Sequence, residues 1–145
     1  MKSILVVNGP NLNLLGKRET DVYGNRTLED LISNLVTAWP DISFSHFQSN
    51  HEGALVDRLN ACMLEPVDGI IINGGALTHY SYSLYDALNM LNIPKVEVHI
   101  SHIFSREAFR HTSVISPACD VMISGAGTLG YSLAVQYLRT LNCEF

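Results

Sequence analysis

Short apolar runs alternate along the chain with segments whose apolar positions recur every three or four residues, the pattern of a parallel sheet wound with crossover helices. Residues 4–7, 42–47, 69–72, 96–99 and 121–123 predict five strands, most of them too apolar for a sheet with one wet face. Between them, Thr27 to Asp30 has the form of a capping box. Leu28, Leu31, Ile32, Leu35, Val36 and Trp39 then follow at helical spacing until Pro40 stops the helix. Ser49 to Glu52 opens a second helix in similar fashion, with Leu55, Leu59, Cys62 and Met63 on its inward face. Further helices are predicted over residues 81–91 and 129–141. The expected fold is α/β: a flavodoxin-like, doubly wound, five-stranded parallel sheet with helices on both faces, forming a single catalytic domain over residues 1–145.

That topology carries a functional expectation. In doubly wound sheets, ligands bind beyond the carboxyl ends of the strands, near the point where the winding reverses. The polar clusters of this chain follow strand ends: residues 8–13 after the first, 73–79 after the third, 99–102 after the fourth.

Composition narrows the classes. The chain has 145 residues, 47% of them hydrophobic, enough for one core without metal or disulfide staples. A formal net charge of −5 leaves no general basic field for nucleic acid, so any bound anion must be held locally. Cys62, Cys119 and Cys143 are odd in number and lack C-x-x-C spacing, which indicates neither a disulfide framework nor a zinc knuckle. The apolar run after Met1 is too brief for a signal sequence or a membrane span, so a cytoplasmic protein without membrane partners is expected. His99 and His102 stand three apart across a strand end with no H-x-x-x-H or cysteine set to complete a metal site.

Residues 125–130 read Gly-Ala-Gly-Thr-Leu-Gly, a literal G-x-G-x-x-G between a strand and a helix. Dinucleotide binding needs a following strand and an acidic residue about 20 positions on, and the chain offers neither. The expectation is a glycine turn that lets the last helix pack closely.

The segment from Gly9 through Asn11, Arg18 and Glu19 to Tyr23 and Gly24 is a long glycine-bounded loop of the kind that forms lids and active-site loops. With Asn73 to His79, Glu97 to Ser101, Gln48 to Gly53 and Arg106 to Arg110, it closely resembles the type II dehydroquinases over essentially the whole chain. The resemblance implies a cofactor-free 3-dehydroquinate dehydratase working through an enolate. In that reading Tyr23, ionised beside Arg18, is the base, and a water near Asn11 steadies the enolate. His99 protonates the departing hydroxyl, and Glu97, on the same strand face, orients its ring. The same resemblance assigns the substrate carboxylate to Ser101 and the Ile100 amide, and the ring hydroxyls to Arg110, Asn73 and His79. It implies a homododecamer built from trimers, with Asp86 reaching a neighbouring subunit's site and Arg106 at or near a subunit contact. By themselves Asp86 and Arg106 read equally as solvated helix charges, and Tyr23 as a packing aromatic.

The tyrosinate makes an electrostatic demand. A free phenol has a pKa of about 10, so ionisation near neutrality requires about 4 kcal/mol of stabilisation. One close guanidinium supplies only part of it, so either a second cation, with Arg110 the foremost candidate, stands nearby or only a minor fraction of Tyr23 is ionised in the free enzyme. Three positions depart from the family pattern: Gly74 and Thr20 stand where prolines are expected, and His102 where asparagine is. A looser substrate loop follows from Gly74, and anion binding that weakens above about pH 6–7 follows from His102. The competing functions are a flavodoxin-like phosphate or flavin binding module and a non-catalytic descendant of the dehydratase.

Overall fold

The computed structural model describes residues 1–17, 21 and 25–141. Five strands, β1 (Ser3–Asn8), β2 (Ser43–Gln48), β3 (Gly69–Asn73), β4 (Lys95–His99) and β5 (Val121–Ser124), form one all-parallel sheet in the order β2-β1-β3-β4-β5. Among the described residues, α1 (Leu28–Ala38), α2 (Glu52–Ala61) and α3 (Tyr82–Asn89) precede β2, β3 and β4 in turn, short 3-10 turns link β4 to β5, and α4 (Leu129–Thr140) follows β5. This is the flavodoxin-like arrangement, and the winding reverses between β1 and β3. There Asn8 and Asn73 lie opposite each other at the carboxyl ends of the two strands.

Alternation along the strands sorts the core into two layers. Ile4, Val6, Ile71, Val96 and Val98 pack under α1 and α4, while Leu5, Val7, Ile70 and Ile72 pack under α2 and α3. β2 departs from the apolar expectation. It is an edge strand with several exposed positions, because one sheet edge faces outward and needs no second cover.

Local chemistry sets the helix ends. Thr27 and Asp30 form the reciprocal capping box, at 3.1 and 3.0 Å. The opening of α2 is different: Ser49 Oγ accepts from the His51 amide, and Glu52 accepts from the Ser81 hydroxyl at 2.6 Å instead of capping its own helix. Ser81 in turn caps α3 through the Leu84 amide. Two residues expected inside are exposed. Val36 lies at the edge of the α1 stripe, and Met63 falls in the turn beyond α2, where helical phase no longer applies.

The glycine turn after β5 does pack the last helix closely. A Cβ on Gly130 would stand 3.1 Å from Val98 Cγ1. The Gly125 and Gly127 amides donate to the carbonyls of His99 and Ile100, at 3.1 and 3.0 Å, so they brace the end of β4. Among the described residues, no helix is long and apolar enough to cross a membrane.

Candidate active site

A cleft of about 840 Å³, counting its open mouth, sits over the carboxyl ends of β1, β3 and β4. Asn11, Asn73, His79, His99, Ile100, Ser101 and Arg110 all line it, with Arg106 as well. Seven residues from four separate sequence segments are thus brought to one place. Glu97 lies behind His99, fully buried. Asp86 is not part of the cleft; it sits on the exposed side of α3. Tyr23 and Arg18 lie outside the described residues, as do Thr20 and Cys143.

The floor is a histidine paired with a carboxylate. β4 alternation puts Glu97 and His99 on one face, and His99 Nε2 stands 2.6 Å from Glu97 Oε1. No partner is found for His99 Nδ1 among the described residues. A second imidazole lies over the first: His79 stacks on His99 with ring centroids 6.2 Å apart. His79 Nδ1 is held by the Thr112 carbonyl at 2.8 Å. Burial lowers the His79 pKa, with lesser contributions from His99 and Arg110, while the Thr112 hydrogen bond opposes the drop.

Asn11 has φ 68°, a left-handed conformation that asparagine tolerates better than most residues. Its amide N–H donates to Asn50 Oδ1 at 2.9 Å, which fixes the turn before Leu12–Leu14 and leaves the Asn11 side chain at the cleft. Gln48 supports the arrangement by donating to the Gly9 carbonyl and to Asn50 Oδ1.

Asn73 belongs to a buried polar chain. Its Nδ2 donates to the Tyr131 hydroxyl at 3.2 Å, which donates to Asn8 Oδ1 at 2.5 Å, and Asn8 Nδ2 meets His46 Nε2 at 3.3 Å. Asn73 Oδ1 accepts from the Gly75 amide. An amide side chain has two donors and two acceptor positions, so one of each on Asn73 has no partner among the described residues. The tyrosine is fully buried, and burial pushes its phenol pKa up, so it stays protonated.

The cationic end of the cleft lies at Ile100, Ser101, Arg106 and Arg110. Arg106 Nη1 donates to Ser101 Oγ at 3.3 Å. Arg110 Nε donates to Glu107 at 2.7 Å, and its guanidinium sits 4.6 Å from the Phe109 ring centroid. Ser124 pins the turn: it accepts from the Ile103 amide and donates to the Ser101 carbonyl, both at 3.1 Å. His102 is absent from the cleft walls. It lines an adjoining cavity that shares Ile100, Ser101 and Arg106 with the cleft, because the chain turns after Ser101.

A family model described as dehydroquinase class II matches residues 2–139. The chain belongs to the class II dehydroquinases. It is 50% identical over 143 residues to the 3-dehydroquinate dehydratase of Caldicellulosiruptor bescii, covering 97% of this chain and 99% of that one. It is 52% identical over 138 residues to a catabolic 3-dehydroquinase of Phaeosphaeria nodorum, covering 94% and 90%. The crystal structure of the type II dehydroquinase from Butyrivibrio crossotus superposes with a TM-score of 0.92 at 46% identity, over 95% of this chain and 97% of that one. The protein is therefore a 3-dehydroquinate dehydratase, a hydro-lyase.

Several supports of this dehydroquinase cleft went unmarked in the sequence reading. Ser113, whose hydroxyl donates to Glu97 Oε1 at 2.7 Å, Tyr131 and Ser124 carry no motif of their own. Tyr131 alone left a trace, as an aromatic hydroxyl on the apolar face of a helix, where a partner is required.

Gly74 also takes on a different meaning in the dehydroquinase fold. Its φ of −72° suits proline. A Cβ there, however, would stand 2.6 Å from Thr78 Oγ1, and the carbonyl of Gly74 is packed against Gly9. Gly75, at φ +57°, lies in the left-handed region. The pair of glycines fits a close approach between two loops.

Proposed function

We propose that this enzyme converts 3-dehydroquinate to 3-dehydroshikimate through an enolate, with ionised Tyr23 taking the proton from the carbon beside the ketone and His99 protonating the departing hydroxyl. The observation that supports the acid half is the buried Glu97–His99 pair at the cleft floor, with His99 Nδ1 unpartnered among the described residues. An imidazole titrates close to working pH, which suits it to proton transfer. Glu97 fixes the ring's orientation.

The base half rests on charge. Arg18 is assigned to hold Tyr23 as phenolate, with Arg110 as the second cation. Arg110 stands on the cleft wall, but its Nε bond to Glu107 offsets part of its field. Asn11 is assigned the water that steadies the enolate, an amide adding donors without adding charge. The Ile100 amide and Ser101 take the substrate carboxylate, while Asn73, His79 and Arg110 take ring hydroxyls.

Asp86, exposed on α3, is assigned to a neighbouring subunit's cleft within a homododecamer of trimers. The reaction needs no cofactor, nucleic acid or membrane and is placed in the cytoplasm. Relatives of similar identity include one with a catabolic name, and the chemistry is the same in biosynthesis and in breakdown.

Enone absorbance during turnover of 3-dehydroquinate tests the assignments. Tyr23→Phe and His99→Ala are each expected to lower kcat by roughly 10²–10⁴. A Tyr23→Phe enzyme with wild-type kcat sinks the base, and an active His99→Ala enzyme sinks the acid. Spectroscopic titration of the Tyr23 phenol in Arg18→Ala and Arg110→Ala variants tests the charge requirement, which fails if neither raises the midpoint. Native mass spectrometry decides the dodecamer.

A further inference from the structure

Glu97 is fully buried, and its two oxygens are served unequally. Oε1 accepts from His99 Nε2 at 2.6 Å and from the Ser113 hydroxyl at 2.7 Å. Oε2 is buried and has no partner among the described residues. A buried carboxylate is costly unless hydrogen-bonded, so Ser113 supplies one of the two donors that make this anion tolerable.

The geometry of Ser113 is not incidental. Its Oγ accepts from the Ser116 amide at 3.0 Å, which occupies a lone pair and leaves the hydroxyl proton for Glu97. The flanking residues are tied down too. Val114 N–H donates to the Thr78 carbonyl at 2.8 Å, and the Thr112 carbonyl holds His79 Nδ1 at 2.8 Å. Residues 112–114 therefore approach the cleft from behind and fix the partners of both stacked rings. The other groups facing the pair are His79, with Arg110 beyond it, and the Cys119 thiol. Burial, with help from Glu97, pushes that thiol up to about 12, so it stays neutral.

We propose that Ser113 is a positioning residue for the proton donor: by donating to Glu97 Oε1 it sets how firmly the Glu97–His99 pair holds the proton it must give away. The inference rests on the assignment of His99 as acid. In that step the C–O bond breaks with its electron pair going to oxygen, the oxygen takes the His99 proton, and water leaves. Glu97 is then left charged beside a neutral imidazole. Ser113's donation matters most in this state, when the pair has lost its proton. Without it the pair grips the proton harder and His99 is a poorer acid.

The test is kcat and KM against pH for Ser113→Ala, Ser113→Thr and His99→Ala, with thermal midpoints. Losing a hydrogen bond to a charged, buried group is expected to lower kcat roughly 10–100-fold in Ser113→Ala, with KM within about threefold. The alkaline limb of the kcat profile should move to higher pH. Ser113→Thr, which keeps the hydroxyl, should recover both. Loss of the Ser116 contact alone would lower the thermal midpoint without moving that limb. Ser113→Cys keeps the shape but donates weakly, and it carries the test where the alanine variant does not fold. A Ser113→Ala or Ser113→Cys enzyme with wild-type kcat and limb, beside an inactive His99→Ala enzyme, overturns the role of Ser113 alone. An active His99→Ala enzyme overturns the acid assignment and this inference with it.

Discussion

The His79 ring lies over the His99 ring, with centroids 6.2 Å apart and planes inclined by 22°. Burial lowers the His79 pKa below the ordinary 6.5, and the neighbouring His99 ring adds to the drop. His46, which meets Asn8, is lowered as well, mainly by burial.

These shifts predict a specific acid limb in stability. A histidine lowered on folding binds its proton more readily when unfolded, so its contribution is complete above pH 6.5 and declines as pH falls below that value. Asp30 and Asp68 are lowered by backbone amides from Thr27 and from Lys2 and Ser3. Their contributions are present above the ordinary 3.8 and are lost as pH falls through the lowered values. Denaturant titrations from pH 8 to pH 3 should show two separate declines. A His46→Gln/His79→Gln double variant should flatten the upper one only; an unchanged upper decline counts against this account.

Tyr131 joins the two strand ends where the winding reverses. Tyr131→Phe removes the hydroxyl between Asn8 and Asn73 and leaves both amides short of a partner in the core. The expected loss is about 1–3 kcal/mol of stability, measurable by urea denaturation. The KM should rise as well, because Asn73 is no longer held beside the cleft. Wild-type stability and KM together would refute the bridge.

The fold was legible because its signals are repeated: five apolar runs, a Thr27–Asp30 cap and a stripe of leucines all agree with one topology. The cleft was partly legible because Asn11, Asn73, His79 and His99 follow strand ends. What supports them was not. Ser113, Ser124 and Tyr131 act through contacts 16, 21 to 23 and 58 to 123 residues away in sequence, and a lone serine in a loop shows no period or spacing. Glu52 shows the converse: a capping pattern read locally was claimed by Ser81, a stronger partner from another helix.

Gly74 and Thr78 are expected to be coupled. Gly74→Ala keeps a permitted φ but drives a Cβ to 2.6 Å from Thr78 Oγ1 in a fully buried place. Overpacking of this kind costs about 1–3 kcal/mol. Thr78→Ala removes the obstructing atom, one that has no hydrogen-bond partner among the described residues. The double variant should therefore be more stable than the sum of the single changes, by more than about 0.5 kcal/mol in a double-mutant cycle. Simple additivity would show that the segment has room and that the glycine is there for another reason.

Ser124 separates binding from chemistry. Its hydroxyl accepts from Ile103 N–H and donates to the Ser101 carbonyl, so one side chain on β5 holds the turn that presents the Ile100 amide and Ser101. Ser124 pairs with His99 across the sheet, but its hydroxyl bonds to neither the His99 ring nor the Glu97 carboxylate. Ser124→Ala gives up about two hydrogen bonds, each worth roughly 1 kcal/mol, and loosens the Ser101 end of the cleft while leaving the Glu97–His99 pair intact. The expected result is a KM raised roughly 3–30-fold with kcat nearly unchanged, the pattern of lost uniform binding. Ser124→Thr, which keeps the hydroxyl, should lie close to wild type. A fall in kcat at constant KM would mean that this turn takes part in the chemical step, contrary to the placement of Ser124 behind the binding end.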